Sequence, residues 1–234
     1  MTQEWLEWFT GFIERRANIH SQYHTKSIKL SMTDKNFLIY IKNMLNLTAN
    51  PFTREKVGYQ IQIGNLLDSE ILFSIFYNNL ITQDFKEKFF SNFSSKFNGV
   101  KFTNQDNKEK DNLLSKISLS NGWLAGFIDA NSSFYFKGFI PVISIISNKH
   151  YDILVIISKL FPNSKFKTDK NLIISGKDSV ILVLDYLEKY PPKLKISNYT
   201  WFLECIRMLN LGYQYDSDTK KILKVLIKNK LNSN

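Results

Sequence analysis

Two stretches of the chain repeat one pattern of apolar, small and acidic positions. Trp8-Phe9-Thr10-Gly11-Phe12-Ile13-Glu14 aligns with Trp123-Leu124-Ala125-Gly126-Phe127-Ile128-Asp129, keeping Trp, Gly, Phe and Ile identical and the acid in kind. After each comes a short alternating run, 18–23 and 133–137, whose period of two predicts a strand. A second strand follows in each copy, 26–32 and 139–147. Helical spacing resumes over 34–45, with Phe37, Ile41, Met44 and Leu45 on one face, and over 150–160, with Leu154, Ile157 and Leu160. Two more strands are expected in each half, 52–55 with 58–63 and 165–168 with 171–175, the latter pair turned at Asp169-Lys170. A third helix closes each unit, 67–78 and 177–188. Each half therefore reads α-β-β-α-β-β-α, an α+β architecture built from a tandem repeat. The expected divisions are an N-terminal half at 1–99, a linker at 100–118 rich in Lys, Asn and Asp, and a C-terminal half at 119–234. That second half ends in two further helices, 198–211 and 219–230, the last carrying Ile222, Val225 and Leu226 as its apolar positions.

Alternation along the strands also predicts which side chains turn away from the helices. With Ile28, Leu30 and Met32 facing inward, Lys29 faces out; with Tyr59, Ile61 and Ile63 inward, Gln60 and Gln62 face out. The same rule turns His20, Gln22 and His24 outward, and adds Arg54 and Lys56 if the third strand keeps this register. In the second half Phe134, Phe136 and Phe166 are expected inside, leaving Tyr135, Lys137, Lys165 and Lys167 outside.

Charge gives these outward residues a candidate partner. The chain carries 31 Lys and Arg against 21 Asp and Glu, a formal +10, the balance expected of a phosphate-backbone binder. Lys220, Lys221, Lys224, Lys228 and Lys230 crowd the last predicted helix, and Lys189, Lys193 and Lys195 flank Pro191-Pro192, a second basic surface on the helical side. A single cysteine, Cys205, excludes a disulfide framework and a multi-cysteine zinc site, and three scattered histidines suggest no metal centre. No apolar run approaches the roughly 18 to 20 residues that cross a bilayer, so a soluble protein is expected. Phe, Tyr, Met, Ile, Asn and Lys total 110 residues while Gly, Ala, Arg and Pro total 22, the bias of an AT-rich genome such as that of an organelle. The start of the chain has two acids and no Arg-rich amphipathic pattern, unlike a transit peptide, so synthesis inside the mitochondrion is expected.

The two copies of the motif, and most closely Leu119-Ser120-Asn121-Gly122-Trp123-Leu124-Ala125-Gly126-Phe127-Ile128-Asp129-Ala130, resemble the paired signature of the LAGLIDADG homing endonucleases and group I intron maturases. The resemblance implies two pseudo-symmetric halves in one monomeric chain, packed through the two motif helices. Gly11, Ala125 and Gly126 would let the helix backbones approach, and the sheets would form a saddle over nucleic acid. It also places one metal-binding acid two residues beyond each of Glu14 and Asp129. Those positions hold Arg16 and Asn131. Arg16 is a permanent cation where a divalent ion should sit, and Glu14 and Asp129 cannot substitute, because two residues along a helix turn the side chain by about 200°.

The resemblance with both acids replaced implies an inactive nuclease that needs no cofactor or metal and binds structured organellar RNA. Arg15 and Arg16, standing where the family has a Gly and the acid, would contact phosphate. Two versions differ in the RNA: a domesticated component of the mitochondrial ribosome, with ribosomal RNA as ligand and ribosomal proteins as neighbours, or a group I intron maturase assisting splicing. The start of the chain directly at the first motif inclines the expectation toward the ribosome. The competing readings are a DNA endonuclease with displaced metal ligands, a DNA-binding regulator that keeps the saddle, and a product decaying after loss of selection.

Overall fold

A computed structural model describes residues 1–22, 25–54, 58–93 and 116–231. The chain gathers into two compact units, Met1–Ala130 and Asn131–Asn234. The expected halves followed the repeat. The compact units divide elsewhere, because the second motif helix packs against the first and so lies almost wholly in the first unit.

In the first unit α1 (Gln3–Arg16) opens at Thr2, whose hydroxyl accepts from the Trp5 amide at 3.3 Å, and runs directly into β1 (Ala17–Gln22). Then come β2 (Thr25–Met32), α2 (Lys35–Leu45), β3 (Phe52–Arg54), β4 (Gly58–Ile63) and α3 (Leu66–Asn79). The sheet is antiparallel in the order β1-β2-β4-β3, with Ala17 opposite Leu30 and Ile28 opposite Ile63. Its inward side chains, Ile28, Leu30, Met32, Ile61 and Ile63, are buried together with Phe37, Leu38, Ile41 and Leu45 of α2. Asp34 caps α2, accepting from the amides of Asn36 and Phe37. Asp68 ties α3 to the segment before β3, accepting from the Thr48 and Ala49 amides at 2.7 and 2.9 Å and from Asn65 at 2.8 Å.

An additional helix, α4 (Gln83–Phe93), has no counterpart in the predicted elements. Its Phe85, Phe89, Phe90 and Phe93 are buried, and Phe89 meets Phe76 of α3 edge to face with ring centroids 5.0 Å apart. The second motif helix α5 (Trp123–Asn131) begins with the Trp123 amide donating to the Asn121 side chain at 3.2 Å.

The second unit repeats the element order: β5 (Ser132–Lys137), β6 (Ile140–Ile146), α6 (Tyr151–Leu160), β7 (Lys165–Thr168), β8 (Asn171–Ser175) and α7 (Lys177–Lys189). The strand order β5-β6-β8-β7 repeats that of the first sheet. Two helices follow, α8 (Ile196–Asn210) and α9 (Ser217–Leu231). Phe134 and Phe136 meet Phe202 of α8 with tilted rings, centroids 5.4 and 5.0 Å apart, so the inner face of this sheet lies under α8.

Four expectations change. Tyr59 is half-buried rather than inside, with the Lys35 ammonium 5.8 Å from its ring centre. Phe166 shares the inward face with its partner Leu172, yet is 38% exposed, because β7 is an edge strand with an irregular pairing between Phe166 and Thr168. Gln60 points outward but is 3% exposed, covered by its hydrogen-bond partners. The packed positions of α9 are Leu223 and Ile227, leaving Ile222 and Val225 56% and 55% exposed. No helix among the described residues is long and apolar enough to cross a membrane.

Candidate nucleic-acid interface

The centre of the first unit is the contact between α1 and α5. A Cβ added to Gly11 would lie 1.9 Å from the carbonyl oxygen of Trp123, and one added to Gly126 would lie 1.8 Å from that of Trp8. These are impossible approaches for any side chain, so glycine is required at both positions. The contact is reciprocal: each glycine meets the carbonyl of the tryptophan three residues before the other. Ala125, the third expected contact residue, is fully buried in α5.

Side chains repeat the reciprocity. The Trp8 indole donates to Asp129 Oδ2 at 3.2 Å, the Trp123 indole donates to Glu14 Oε1 at 3.0 Å, and Glu7 Oε2 accepts from the Gly122 amide at 2.8 Å. Glu14 is also the acceptor for the amides of Ile81 and Thr82, at 2.9 and 2.5 Å, which fixes the entry to α4. Burial pushes the Glu14 carboxyl up to about 7, against hydrogen bonds from Thr82, Ile81 and Trp123 that favour its charge. Glu14 and Asp129 thus brace the helix pair.

At the end of α1 the chain places two adjacent, half-buried cations, Arg15 and Arg16. Burial lowers the pKa of both; for Arg16 the charge of Arg15 lowers it further and that of Asp129 partly restores it. The Arg16 Nε is buried with no hydrogen-bond partner among the described residues. Asn131, also half-buried, is the last residue of α5 as Arg16 is of α1.

Cross-strand partners share a face, so the register identifies the outward side of each sheet. In the first sheet His20 pairs with Ser27, Asn18 with Lys29, Lys29 with Gln62 and Ser31 with Gln60. Gln62 is exposed, and Lys29 and His20 are half-buried. Gln60 is a buttress: it donates to Ser31 at 3.0 Å and accepts from Arg54 Nη1 at 3.0 Å, so Arg54 is held in place on an otherwise exposed edge strand. The side chain of Gln22, and Lys56 and His24 entirely, lie outside the described residues.

The outward face of the second sheet differs. Tyr135 pairs with Val142, Lys137 with Ile140, Ser144 with Ile173 and Lys165 with Ile173. Its middle is mixed: Val142 is buried, the Ser144 hydroxyl donates to Asn171 Oδ1 at 2.8 Å and Ile173 is half-buried, while Lys137 and Lys165 on the flanking strands are exposed and Tyr135 is half-buried. Lys167 is exposed beside the irregular pairing of β7. Alternation located these lysines, and Ile140 and Ile146 on the outward face of β6 are exposed beside them. On the helical side, Lys221, Lys224 and Lys228 of α9 are exposed beside Ile222 and Val225. Lys193 and Lys195 turn instead to backbone carbonyls, those of Pro191 and Ser132.

Among known structures, the chain is similar to the LAGLIDADG meganuclease I-AabMI bound to uncleaved DNA, at 15% identity and a TM-score of 0.73, covering 95% of this chain and 98% of that one. The meganuclease I-CpaMI, also bound to uncleaved DNA, matches at 15% identity and 0.67 over 95% and 98% of the two chains. The homing endonuclease I-LtrWI bound to target DNA matches at 16% identity and 0.67 over 96% and 97%. This chain has the LAGLIDADG homing endonuclease fold. Neither a protein-family profile nor a curated protein sequence matches it.

The LAGLIDADG fold brings with it the question of a divalent metal. Such an ion asks for hard, anionic oxygen ligands. The α1 end offers a guanidinium and the α5 end one amide oxygen. Two residues earlier, Glu14 is occupied by Trp123, Ile81 and Thr82, and Asp129 holds Trp8. These residues do not fit a divalent cation. Among the described residues no three His, Cys, Asp or Glu side chains come together.

Proposed function

We propose that this protein uses the LAGLIDADG fold to bind nucleic acid without cleaving it, and that its ligand is structured mitochondrial RNA, with ribosomal RNA in a mitochondrial ribosome as the leading case. The observation that carries the reading is Arg16, a desolvated permanent cation at the end of α1 where the resemblance places a metal-binding acid. Phosphoryl transfer of this kind depends on metal ions that clamp the attacking and leaving oxygens, and a guanidinium at that position opposes their binding while still attracting phosphate. A net charge of +10 supports an anionic polymer as partner.

RNA is preferred to duplex DNA because exposed lysines are offered by more than one kind of element, the outer strands of the second sheet and α9. The exposed lysines of α9 offer phosphate contacts on a different element, and folded RNA presents phosphates from several directions. Ribosomal proteins are natural neighbours for the exposed Ile140 and Ile146 in such an assembly. A group I intron maturase is the second reading, favoured by the close match of the second motif to that family.

Ultraviolet crosslinking in intact organelles, denaturing purification and sequencing of the attached RNA decides between them. Enrichment of one neighbourhood of ribosomal RNA is the expected result; intron sequence would make the protein a maturase. Enrichment of neither, together with Mg²⁺-dependent cutting of a DNA target library, would overturn the reading.

A further inference from the structure

We propose that Tyr151 and Phe166 of the second unit form a stacking platform for an unpaired stretch of the bound RNA. The inference goes beyond the nucleic-acid-binding reading and rests on it. Tyr151 is the first residue of α6 and Phe166 the second of β7; their ring centroids lie 5.4 Å apart with the planes inclined at 46°. Both remain open to solvent all the same, at 54% and 38% exposure. β7 is the edge of its sheet, so no further strand lies beyond Phe166. The fold does not require the pair. In the first unit the corresponding positions are Lys35, the first residue of α2, and Thr53, opposite the second residue of β4, just as Phe166 stands opposite Leu172, the second residue of β8. One repeat thus carries two touching, exposed aromatics where the other carries none.

The surroundings say what kind of ligand covers the rings. The Ser147 amide donates to the Lys170 carbonyl at 2.9 Å, which brings the turn after β7 against the loop before α6. Lys149 of that loop and Lys170 of that turn therefore stand at the same corner as the rings, and both are exposed. Lys165 and Lys167 flank Phe166 along β7, whose four residues are all exposed. Two acids share the corner: Asp152 accepts from the Ile153 amide in the first turn of α6, and Asp169 is exposed in the turn. Four lysines against two acids leave a net positive rim around an aromatic face, the complement of flat bases joined by phosphates. Base pairs within a duplex cover one another's faces, whereas an unpaired nucleotide offers its own to an aromatic ring. Stacking needs no particular base, so the platform adds affinity for a single strand without reading its sequence.

The test titrates the full chain into two fluorescein-labelled RNA hairpins, one blunt and one carrying a single-stranded tail of about six adenosines. The expected result is that the tail tightens wild-type binding by about fivefold or more, and that Tyr151→Ala and Phe166→Ala each bring the tailed probe down to the affinity of the blunt one. Tyr151→Phe keeps the ring and should keep the gain. Replacing Lys149 and Lys170 together with Gln should reduce the salt slope for the tailed probe by about two phosphates. Should an alanine variant fail to fold, 2-aminopurine placed in the tail reads stacking in the wild-type chain, where its fluorescence is expected to be quenched on binding. A tail that adds nothing to wild-type affinity, a gain that survives both alanine substitutions, or unquenched 2-aminopurine at saturation would overturn the platform, leave its corner to a protein partner, and leave the nucleic-acid reading standing. Failure of the wild-type chain to bind either hairpin at low salt would bring down the nucleic-acid reading and the platform with it.

Discussion

Trp8 and Asp129 are joined by an indole-to-carboxylate hydrogen bond of 3.2 Å, and Trp123 and Glu14 repeat it at 3.0 Å with the two helices exchanged. The bonds flank the glycine contacts of Gly11 and Gly126, so the helix pair is held by backbone apposition in the middle and by a Trp–acid bond on either side. Such closely packed helices leave no room for adjustment, and the arrangement has measurable consequences.

Gly11→Ala and Gly126→Ala should each lower stability by about 3 kcal/mol or more, since the new methyl meets a backbone carbonyl rather than a movable side chain. Urea denaturation measures the loss. A near-neutral result at either position would contradict the close apposition of α1 and α5.

Both tryptophans should depend on the indole nitrogen. Trp123→Phe removes one donor from Glu14, which keeps the Ile81 and Thr82 amides, and Trp8→Phe removes one from fully buried Asp129. Each substitution should cost about 1 to 3 kcal/mol. Paired denaturation curves, and a cycle with Asp129→Asn, would isolate the bond itself.

Stability should depend on pH through Glu14. Its carboxyl ionises near 4.5 in the unfolded chain, but burial holds the folded pKa at about 7. The stability contributed by the neutral form is complete below pH 4.5, declines as pH rises toward 7, and is level above it. By linkage the change is of order 3 kcal/mol. Glu14→Gln should flatten the profile of melting temperature against pH in this window, although its overall height also falls because one acceptor for the Ile81 and Thr82 amides is lost.

Asp68 should act in the opposite sense. Burial alone would raise its pKa, but hydrogen bonds from Thr48, Asn65 and Ala49 outweigh it and hold the carboxyl below its ordinary value. Its contribution is present above the unfolded pKa and is lost as pH falls through the folded one. Asp68→Ala, which orphans two backbone amides, should cost about 2 to 3 kcal/mol near neutral pH, with the deficit shrinking in acid; thermal melts at both ends check this.

The repeat and its alternation were legible because both are local. Backbone geometry alone turns successive strand residues to opposite faces, so Ile28, Leu30, Ile61 and Ile63 could be placed inside and Lys29 and Gln62 outside before any contact was known. The glycines of the motif were legible as well, since a matched pair of small residues at corresponding helical positions has few uses other than close approach.

Other features depended on partners that no local pattern names. The helix α4 carries regular helical spacing of phenylalanines, yet falls outside the repeated unit, and its entry is set by Glu14, 67 residues earlier than Ile81. Gln60 faces the predicted side, but whether it meets solvent or stays covered was decided by Ser31 and Arg54 on the neighbouring strands. Phe166 faces inward as alternation requires and is exposed because its strand lies at a sheet edge. Sequence by itself determined the elements of the repeat, their order and the direction of their side chains, for these follow from backbone periodicity. Only the tertiary structure decided burial, the reciprocal Trp–acid bonds and the unpaired Nε of Arg16, because each depends on atoms far apart in the chain arriving within about 3 Å of one another.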